Sequence, residues 1–261
     1  MKMVKAIRYE QGIPQTVNDC LVEENMLHIS INGAPYTVTM CSPNNEADLV
    51  HGILITEAVC LPGAQPIIQA IEKNEEGIVV KIDACIPTNQ LGSGFLVKRN
   101  LLSVSSCGLC GQVDARTELL GDSLPLVSSF SPQQILSFFE TMRAHQTNFQ
   151  QTGGSHAAAA FDETGQCLVL REDIGRHNAV DKVIGALFQM EQLHRAACLL
   201  VSGRVSFEIV SKCFRAGIPR LAAVSAPSSL AVVYCQEKNI QLYGFCRKER
   251  ITCYTPKDVS H

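Results

Sequence analysis

The sequence lacks several features that mark common classes of protein. Its net charge is only −3, which argues against a nucleic-acid partner bound through a basic surface. No run approaches the roughly 18 apolar residues that a membrane-spanning helix needs. The segment from Met1 to Arg8 has no apolar core of the kind found in signal peptides. These absences predict a cytoplasmic protein without a nucleic-acid or membrane partner.

A second cysteine pair is also missing. The chain has one Cys-x-x-Cys, formed by Cys107 and Cys110, whereas a zinc ribbon needs another pair or histidines at metal-ligand spacing. No metal site is therefore predicted. Most of the twelve cysteines, such as Cys198, stand in apolar stretches, where free cysteine packs as a small hydrophobic residue.

Cys107 and Cys110 differ from the other cysteines in their surroundings. They lie in the polar segment 105–112, and a glycine follows each of them. Glycine removes steric cover from the neighbouring sulfurs, and paired thiols can resolve, protect or receive sulfur from one another. Residues 87–112 are rich in Gly, Ser and Asn, which indicates a long, exposed and mobile loop. We therefore expect the chemistry of this protein to occur at this pair.

The pattern of elements predicts an α/β protein in two parts. Residues 1–125 are expected to form a smaller α+β region that ends in the Cys-x-x-Cys loop, and residues 126–261 a layered α/β domain. In the first part we predict a hairpin over 27–40 with its turn at Asn32-Gly33, a helix capped by Asn44 or Asn45, and a strand over 78–82.

The second part has the more regular pattern. Apolar residues recur there at helical spacing between short apolar strands. The predicted elements are a helix capped by Ser131 with Pro132 at its first position, a hairpin over 156–170, helices over 180–188, 206–216 and 228–236, and strands over 198–202, 219–225 and 240–246.

Three polar loops follow strands in this second part, over 171–178, 202–206 and 225–229. Ligands of open α/β sheets bind at the carboxyl ends of strands, and each loop leads into a helix N-terminus, which favours anions. Arg204 is a candidate phosphate contact.

His177 and Asp181 share a helix face. Asp173 and Asp181 are candidates to hold a ribose, an amine or a guanine edge. A structural alternative remains open for each of these residues. Ser206 is also a natural helix cap, and Asp181 with Lys182 also fits a solvated polar face. The density of varied polar groups within residues 172–182 favours a ligand role.

These motifs together resemble the formate dehydrogenase accessory sulfurtransferase family (FdhD type) over nearly the whole chain. The segments that carry the resemblance are 31–33, 40–43, Ser105-Ser106-Cys107-Gly108-Leu109-Cys110-Gly111, 152–158, 171–182, 202–208, 224–231 and 244–247.

The resemblance implies a sulfur carrier. Such proteins take persulfide sulfur from a cysteine desulfurase and pass it to the molybdenum of a bis(molybdopterin guanine dinucleotide) cofactor, which is then inserted into the catalytic subunit of formate dehydrogenase. Cys107 would carry the persulfide, and Cys110 would be its partner thiol.

The cofactor would bind transiently. The resemblance associates its contacts with Gly244, Phe245, Cys246, Arg247, Lys248 and Glu249. The loop argument adds Asp173, His177, Asp181, Lys182, Arg204 and Ser206.

The family also implies a homodimer and a second half similar to the cytidine deaminase fold. Deaminase chemistry is excluded, because His177-Asn178-Ala179 lacks the glutamate of His-x-Glu and no Pro-Cys-x-x-Cys is present. Two alternatives remain: a thiol–disulfide oxidoreductase, although redox pairs usually open a helix after a strand, and a zinc-binding client adaptor.

Overall fold

The computed structural model describes residues 1–96, 122–125, 127 and 130–256. The segment with Cys107 and Cys110, predicted as a mobile loop, lies outside the described residues. The described parts form a mixed α/β fold with three sheets, which confirms the predicted class.

The N-terminal part contains two of the sheets. One is a two-stranded ribbon, and the other has four strands in the order β4-β3-β6-β5, with β3 and β6 parallel. One helix, α1, packs on the apolar face of this second sheet. The elements are β1 (Lys2–Glu10), β2 (Ile13–Leu21), β3 (Asn25–Ile31), β4 (Ala34–Cys41), α1 (Glu46–Thr56), β5 (Ile67–Lys73) and β6 (Val79–Cys85).

The C-terminal part is built on a six-stranded sheet in the order β12-β11-β10-β9-β7-β8. Helices α4, α5 and α6 cover one face of it and α2 covers the other. The elements are α2 (Pro132–Ala144), α3 (Thr147–Thr152), β7 (His156–Phe161), β8 (Cys167–Asp173), α4 (Arg176–Gln189), β9 (Cys198–Val201), α5 (Phe207–Arg215), β10 (Arg220–Ala223), α6 (Ser229–Glu237), β11 (Gln241–Arg247) and β12 (Arg250–Cys253).

Most predicted elements are confirmed within a few residues. The predicted start of α2 is also confirmed, because Ser131 and Gln134 form a reciprocal capping box with Pro132 at the first helical position. Asn45, one of the two residues predicted to cap α1, occupies the N-cap position, but the side-chain hydrogen bond expected of a cap is absent. Asn45 has a φ of 61°, and the left-handed backbone there turns the chain into the helix.

The two parts meet where helix α1 crosses helix α4. Each helix presents a glycine at the contact. A Cβ on Gly52 would lie 1.9 Å from the carbonyl oxygen of Asp181, and one on Gly185 would lie 1.8 Å from that of Asp48. The two backbones therefore touch, which only glycine permits. This contact fixes the N-terminal part against the helix that begins at the polar loop over 171–178.

Candidate functional site

The polar loops converge on one edge of the six-stranded sheet. Strands β9, β10 and β11 are parallel, and β8 points the same way because β7 is antiparallel to both β8 and β9. Their carboxyl ends, and the start of β7 at His156, therefore lie along the same edge. As predicted, this edge receives the N-termini of α4, α5 and α6.

Backbone hydrogen bonds lock the loops to each other. The amide of Val205 donates to Ala226 (3.1 Å), and the amide of Phe245 donates to Ser225 (3.2 Å). The chain packs closely at Gly244, where a Cβ would lie 3.1 Å from Pro227 and 3.2 Å from the Ser225 oxygen. The segment 244–249 thus adjoins the loop over 225–228, which adjoins the loop over 202–206.

Two histidines and two arginines define what we call the cationic cleft: His156, Arg176, His177 and Arg204, together with Ser206. Nδ1 of His156 lies 3.4 Å from the Ser202 hydroxyl, and Nε2 of His177 lies 3.5 Å from the Ser206 hydroxyl. The side chain of Arg176 passes beside Gly203, where a Cβ would contact it at 3.4 Å. Arg204 is exposed at the same loop.

Arg176 belongs to the cleft, although it was not among the site residues predicted from the loop over 171–178. Its Nε is buried, and it has no hydrogen-bond partner among the described residues. A buried donor without a partner is costly, so the guanidinium is suited to receive an acceptor from a ligand. The position of Arg176 in the first turn of α4 could have indicated its role from sequence. His156 lies in segment 152–158, which carries the family resemblance, but it was not among the predicted site residues either.

The field of the cleft is positive. Burial, with the charges of Lys212 and Arg176, lowers the pKa of His177 to about 3. Burial and Arg176 also lower the pKa of His156. Both imidazoles are therefore neutral near pH 7, and the positive charge comes from Arg176 and Arg204, because Asp181 pairs with Lys212. Such a site attracts anions, and an anion next to the imidazoles would favour their protonation.

Asp173 and Lys182 lie behind the cleft as a buried ion pair. Nζ of Lys182 is 2.8 Å from Asp173, and both side chains are almost fully excluded from solvent (1% and 0% exposed). Asp173 also accepts hydrogen bonds from the amides of Gly175 (2.8 Å) and Ser42 (3.0 Å), while Lys182 donates to the Ser42 carbonyl (2.9 Å). The pair thus ties the loop before α4 to the segment after β4.

Asp181 forms a second buried pair with Lys212, at 2.8 Å, and accepts a hydrogen bond from Thr56 at 2.8 Å. Burial raises the pKa of Asp181, and the Lys212 ammonium opposes that shift. Asp173, Asp181 and Lys182 therefore have protein partners in the interior, whereas His177, Arg204 and Ser206 stand at the cleft. Ser206 is not a side-chain cap, so its hydroxyl is not engaged by its own helix.

The segment 244–249 forms the end of β11 and its turn into β12. A bulge interrupts the pairing between Gly244 and Arg247, and Phe245 has a φ of 53°. The residues of the turn, Arg247 to Arg250, line a cleft of about 540 Å³. Burial raises the pKa of Cys246 to about 12, so its thiol is protonated at neutral pH. This part of the edge adds cations but no reactive thiolate.

Cys107 and Cys110 lie outside the described residues, so their geometry stays a prediction. Within the described ranges, no group of three metal-ligating side chains is found, and no helix is long and apolar enough to cross a membrane.

Comparisons with known proteins match nearly the whole chain. The chain is 40% identical over 261 residues to the sulfur carrier protein FdhD of Streptomyces avermitilis, with 96% of this chain and 92% of that protein covered. It is 34% identical to the protein of the same name from Sulfolobus acidocaldarius, with 98% and 96% covered.

A crystal structure described as that of a candidate formate dehydrogenase accessory protein from Desulfotalea psychrophila has the same fold. Its TM-score is 0.72 at 22% identity, and the match covers 98% of this chain and 96% of that one. A model of the FdhD/NarQ family matches residues 22–260. The chain belongs to the FdhD/NarQ family.

Proposed function

We propose that this protein is a sulfur carrier that serves the maturation of formate dehydrogenase. The observation that carries the proposal is the match, over almost its full length, to relatives named sulfur carrier protein FdhD. The same match favours this function over a thiol–disulfide oxidoreductase or a zinc-binding adaptor.

The sulfur donor is a cysteine desulfurase, and Cys107 is the acceptor. The Cys107 thiolate attacks the terminal sulfur of the desulfurase persulfide, the S–S bond of the donor breaks, and the donor thiolate leaves. Attack by the Cys110 thiolate on the Cys107 sulfur then releases the terminal sulfur as sulfide. Cys110 supplies the two electrons, and a Cys107–Cys110 disulfide remains. Another thiol must reduce this disulfide before the next cycle.

The acceptor of this sulfur is the molybdenum of a bis(molybdopterin guanine dinucleotide) cofactor, which is the cargo of the protein. The cationic cleft fits the anionic part of that cargo. Arg176 has a buried Nε without a partner among the described residues, and its side chain lies against Gly203. The next residue, Arg204, is exposed, and arginine binds phosphate with two donors. The N-termini of α4, α5 and α6 add amide donors. Segment 244–249 extends the site, while Asp173, Asp181 and Lys182 position it.

We also infer that the six-stranded half has the cytidine deaminase-like layering, with β8-β7-β9-β10-β11 as its sheet order. The cleft of such a fold would then hold a nucleotide without deaminating it, since the glutamate of His-x-Glu is absent. The proposal includes the cytoplasmic location and the homodimer expected from the sequence, with the formate dehydrogenase catalytic subunit as the receiving partner.

Intact-protein mass spectrometry tests the carrier role. The protein is incubated with a cysteine desulfurase and L-cysteine, and we expect a labile gain of one sulfur atom that is lost in Cys107→Ser. Cys253→Ser is the matched control, because Cys253 is an exposed cysteine far along the chain. A gain lost only in Cys110→Ser would move the carrier role to Cys110. No gain in the wild type would contradict the proposal.

Calorimetry with GDP tests the cleft separately. Arg176→Ala and Arg204→Ala are each expected to weaken binding about tenfold or more, since a charge-assisted hydrogen bond contributes about 1.5–3 kcal/mol. Arg8→Ala, an exposed arginine near the turn of the two-stranded ribbon, is the control and is expected to bind normally. Binding that is unchanged in both cleft variants would contradict this assignment while leaving the carrier role intact.

A further inference from the structure

The two-stranded ribbon formed by β1 and β2, residues 2–21, exposes several large apolar side chains to solvent. Met3, Ile7 and Tyr9 are 62%, 61% and 69% exposed, and all three lie on one face because side chains alternate along a strand. An isolated two-stranded hairpin is marginally stable in water. The ribbon also precedes the residues that the family model matches, so its exposed apolar side chains are not explained by the family match.

The free edge of the ribbon belongs to β1. Strand β2 contacts α3 and continues into Val22, which lies close enough to Gly154 that a Cβ there would be 3.0 Å from it. Among the described residues, β1 pairs with no strand other than β2. An edge strand of nine residues without proline is a template for pairing with another chain.

The turn of the ribbon shows which backbone groups point outward. Gln11 and Gly12 form the two-residue turn, with φ values of 52° and 84°, and the register of β1 with β2 is unbroken. In such a hairpin, the residues flanking the turn exchange hydrogen bonds, so the even-numbered residues of β1 pair with β2. The amides and carbonyls of Met3, Lys5, Ile7 and Tyr9 therefore face the free edge.

We propose that β1 pairs antiparallel with β1 of a second copy of this chain, with Ala6 at the two-fold axis, and that this pairing is the interface of the homodimer included in the proposed function. This register places Met3 opposite the partner's Tyr9 and Lys5 opposite the partner's Ile7. All outward amides and carbonyls then find partners across the axis. The two ribbons form one four-stranded sheet, which has the strand number that gives independent stability.

Charge complementarity identifies a second copy as the occupant. In the same register, Lys2 lies opposite the partner's Glu10, and symmetry repeats this pair. Opposite charges directly across a strand pair stabilise it, whereas like charges destabilise it. Two symmetric pairs of opposite charge therefore close the two ends of the β1 pairing about Ala6, a match that an unrelated partner would not require. Met3 and the partner's Tyr9 add a sulfur–aromatic contact on the apolar face.

Sedimentation over a range of concentrations, with no tag at the N-terminus, tests the pairing. We expect a wild-type dimer whose Kd rises at least about 100-fold in Ile7→Pro, because proline removes an outward amide in each copy. The hydrogen bonds between β1 and β2 are spared, since the Ile7 amide is not among them. Ile7→Val keeps the amide and is the matched control, with an expected Kd close to that of the wild type.

A charge exchange tests the register. Lys2→Glu is expected to raise Kd about tenfold, because two attractive pairs become repulsive, and Lys2→Glu with Glu10→Lys is expected to restore it. Circular dichroism and the unfolding midpoint verify that each variant folds. A monomeric wild type, a dimer indifferent to Ile7→Pro, or a double variant no better than Lys2→Glu would each overturn the proposal. None of these outcomes depends on sulfur transfer.

Discussion

Replacing Gly52 by alanine tests whether the contact between α1 and α4 holds the two parts together. Helix propensity alone predicts stabilisation by about 1 kcal/mol, because glycine is a poor residue in a helix interior. The geometry predicts the opposite sign. The new Cβ would lie 1.9 Å from the carbonyl oxygen of Asp181, well inside contact distance, so the helices must separate by more than an ångström.

Separation has a cost beyond the clash. It stretches the hydrogen bond from Thr56 to Asp181 (2.8 Å) and loosens the core between the helices. Overpacking of a core costs about 1–3 kcal/mol, and the weakened polar contact adds to that. We expect Gly52→Ala to lower the free energy of unfolding by about 2 kcal/mol despite its better propensity.

Equilibrium unfolding in urea measures this difference. Ser137→Ala, on the exposed side of α2, is the surface control. It removes one exposed hydrogen bond to the Gln134 carbonyl and is expected to change stability by less than about 0.5 kcal/mol. Gly185→Ala is expected to resemble Gly52→Ala, and the double variant to cost less than the sum, because the first separation relieves the second clash. Stabilisation by Gly52→Ala would refute the close contact.

Three further predictions concern the cleft and the groups behind it. Asp173→Asn is expected to lower the free energy of unfolding in urea by about 3–5 kcal/mol, because it leaves the buried Lys182 ammonium uncompensated. Adding Lys182→Met in the same chain is expected to recover part of that loss. An equal loss in the single and the double variant would contradict the pairing. The Ser228 side chain accepts a hydrogen bond from the Ala231 amide and caps α6, whereas Ser206 makes no such bond. Ser228→Ala is therefore expected to cost about 1 kcal/mol as a lost cap, and Ser206→Ala much less, so equal losses would contradict this difference. The pKa of His177 is lower in the folded state (about 3) than in the unfolded chain (6.5). The unfolded state therefore binds the proton first, and the free energy of unfolding falls as pH drops from 6.5 towards 3. Urea titrations at several pH values should show a flatter dependence in His177→Asn, and an unchanged dependence would contradict the lowered pKa.

Much of the C-terminal part was predictable because its signals are local. Helical spacing of apolar residues marked α4, and Ser131 with Pro132 marked the start of α2. The ribbon was missed, since its strands mix charged and apolar residues on both faces and its turn at Gln11-Gly12 is weaker than Asn-Gly. Strands β5 and β12 and the short helix α3 were missed as well, because edge strands and single turns carry little periodicity.

The candidate site shows the limit of reasoning from spacing. Loops at strand ends were correctly predicted to share one edge, because sheet topology dictates it. Spacing placed His177 and Asp181 on one helix face, but it could not show that Asp181 points to Lys212 on α5 and to Thr56 on α1. Which polar side chain faces a ligand and which pairs in the interior depends on contacts between residues distant in sequence.

A sulfur carrier with twelve cysteines must keep its other thiols from reacting with the persulfide. A persulfide is attacked by thiolates, so every other reactive thiol in the chain would compete for it. Burial raises the pKa of Cys41, Cys198 and Cys246 to about 12, and it raises the pKa of Cys235 well above the usual range of a thiol. These thiols stay protonated at neutral pH and are poor nucleophiles. The packing that forms the core therefore also removes these four thiols from competition for the sulfur that we expect Cys107 and Cys110 to carry.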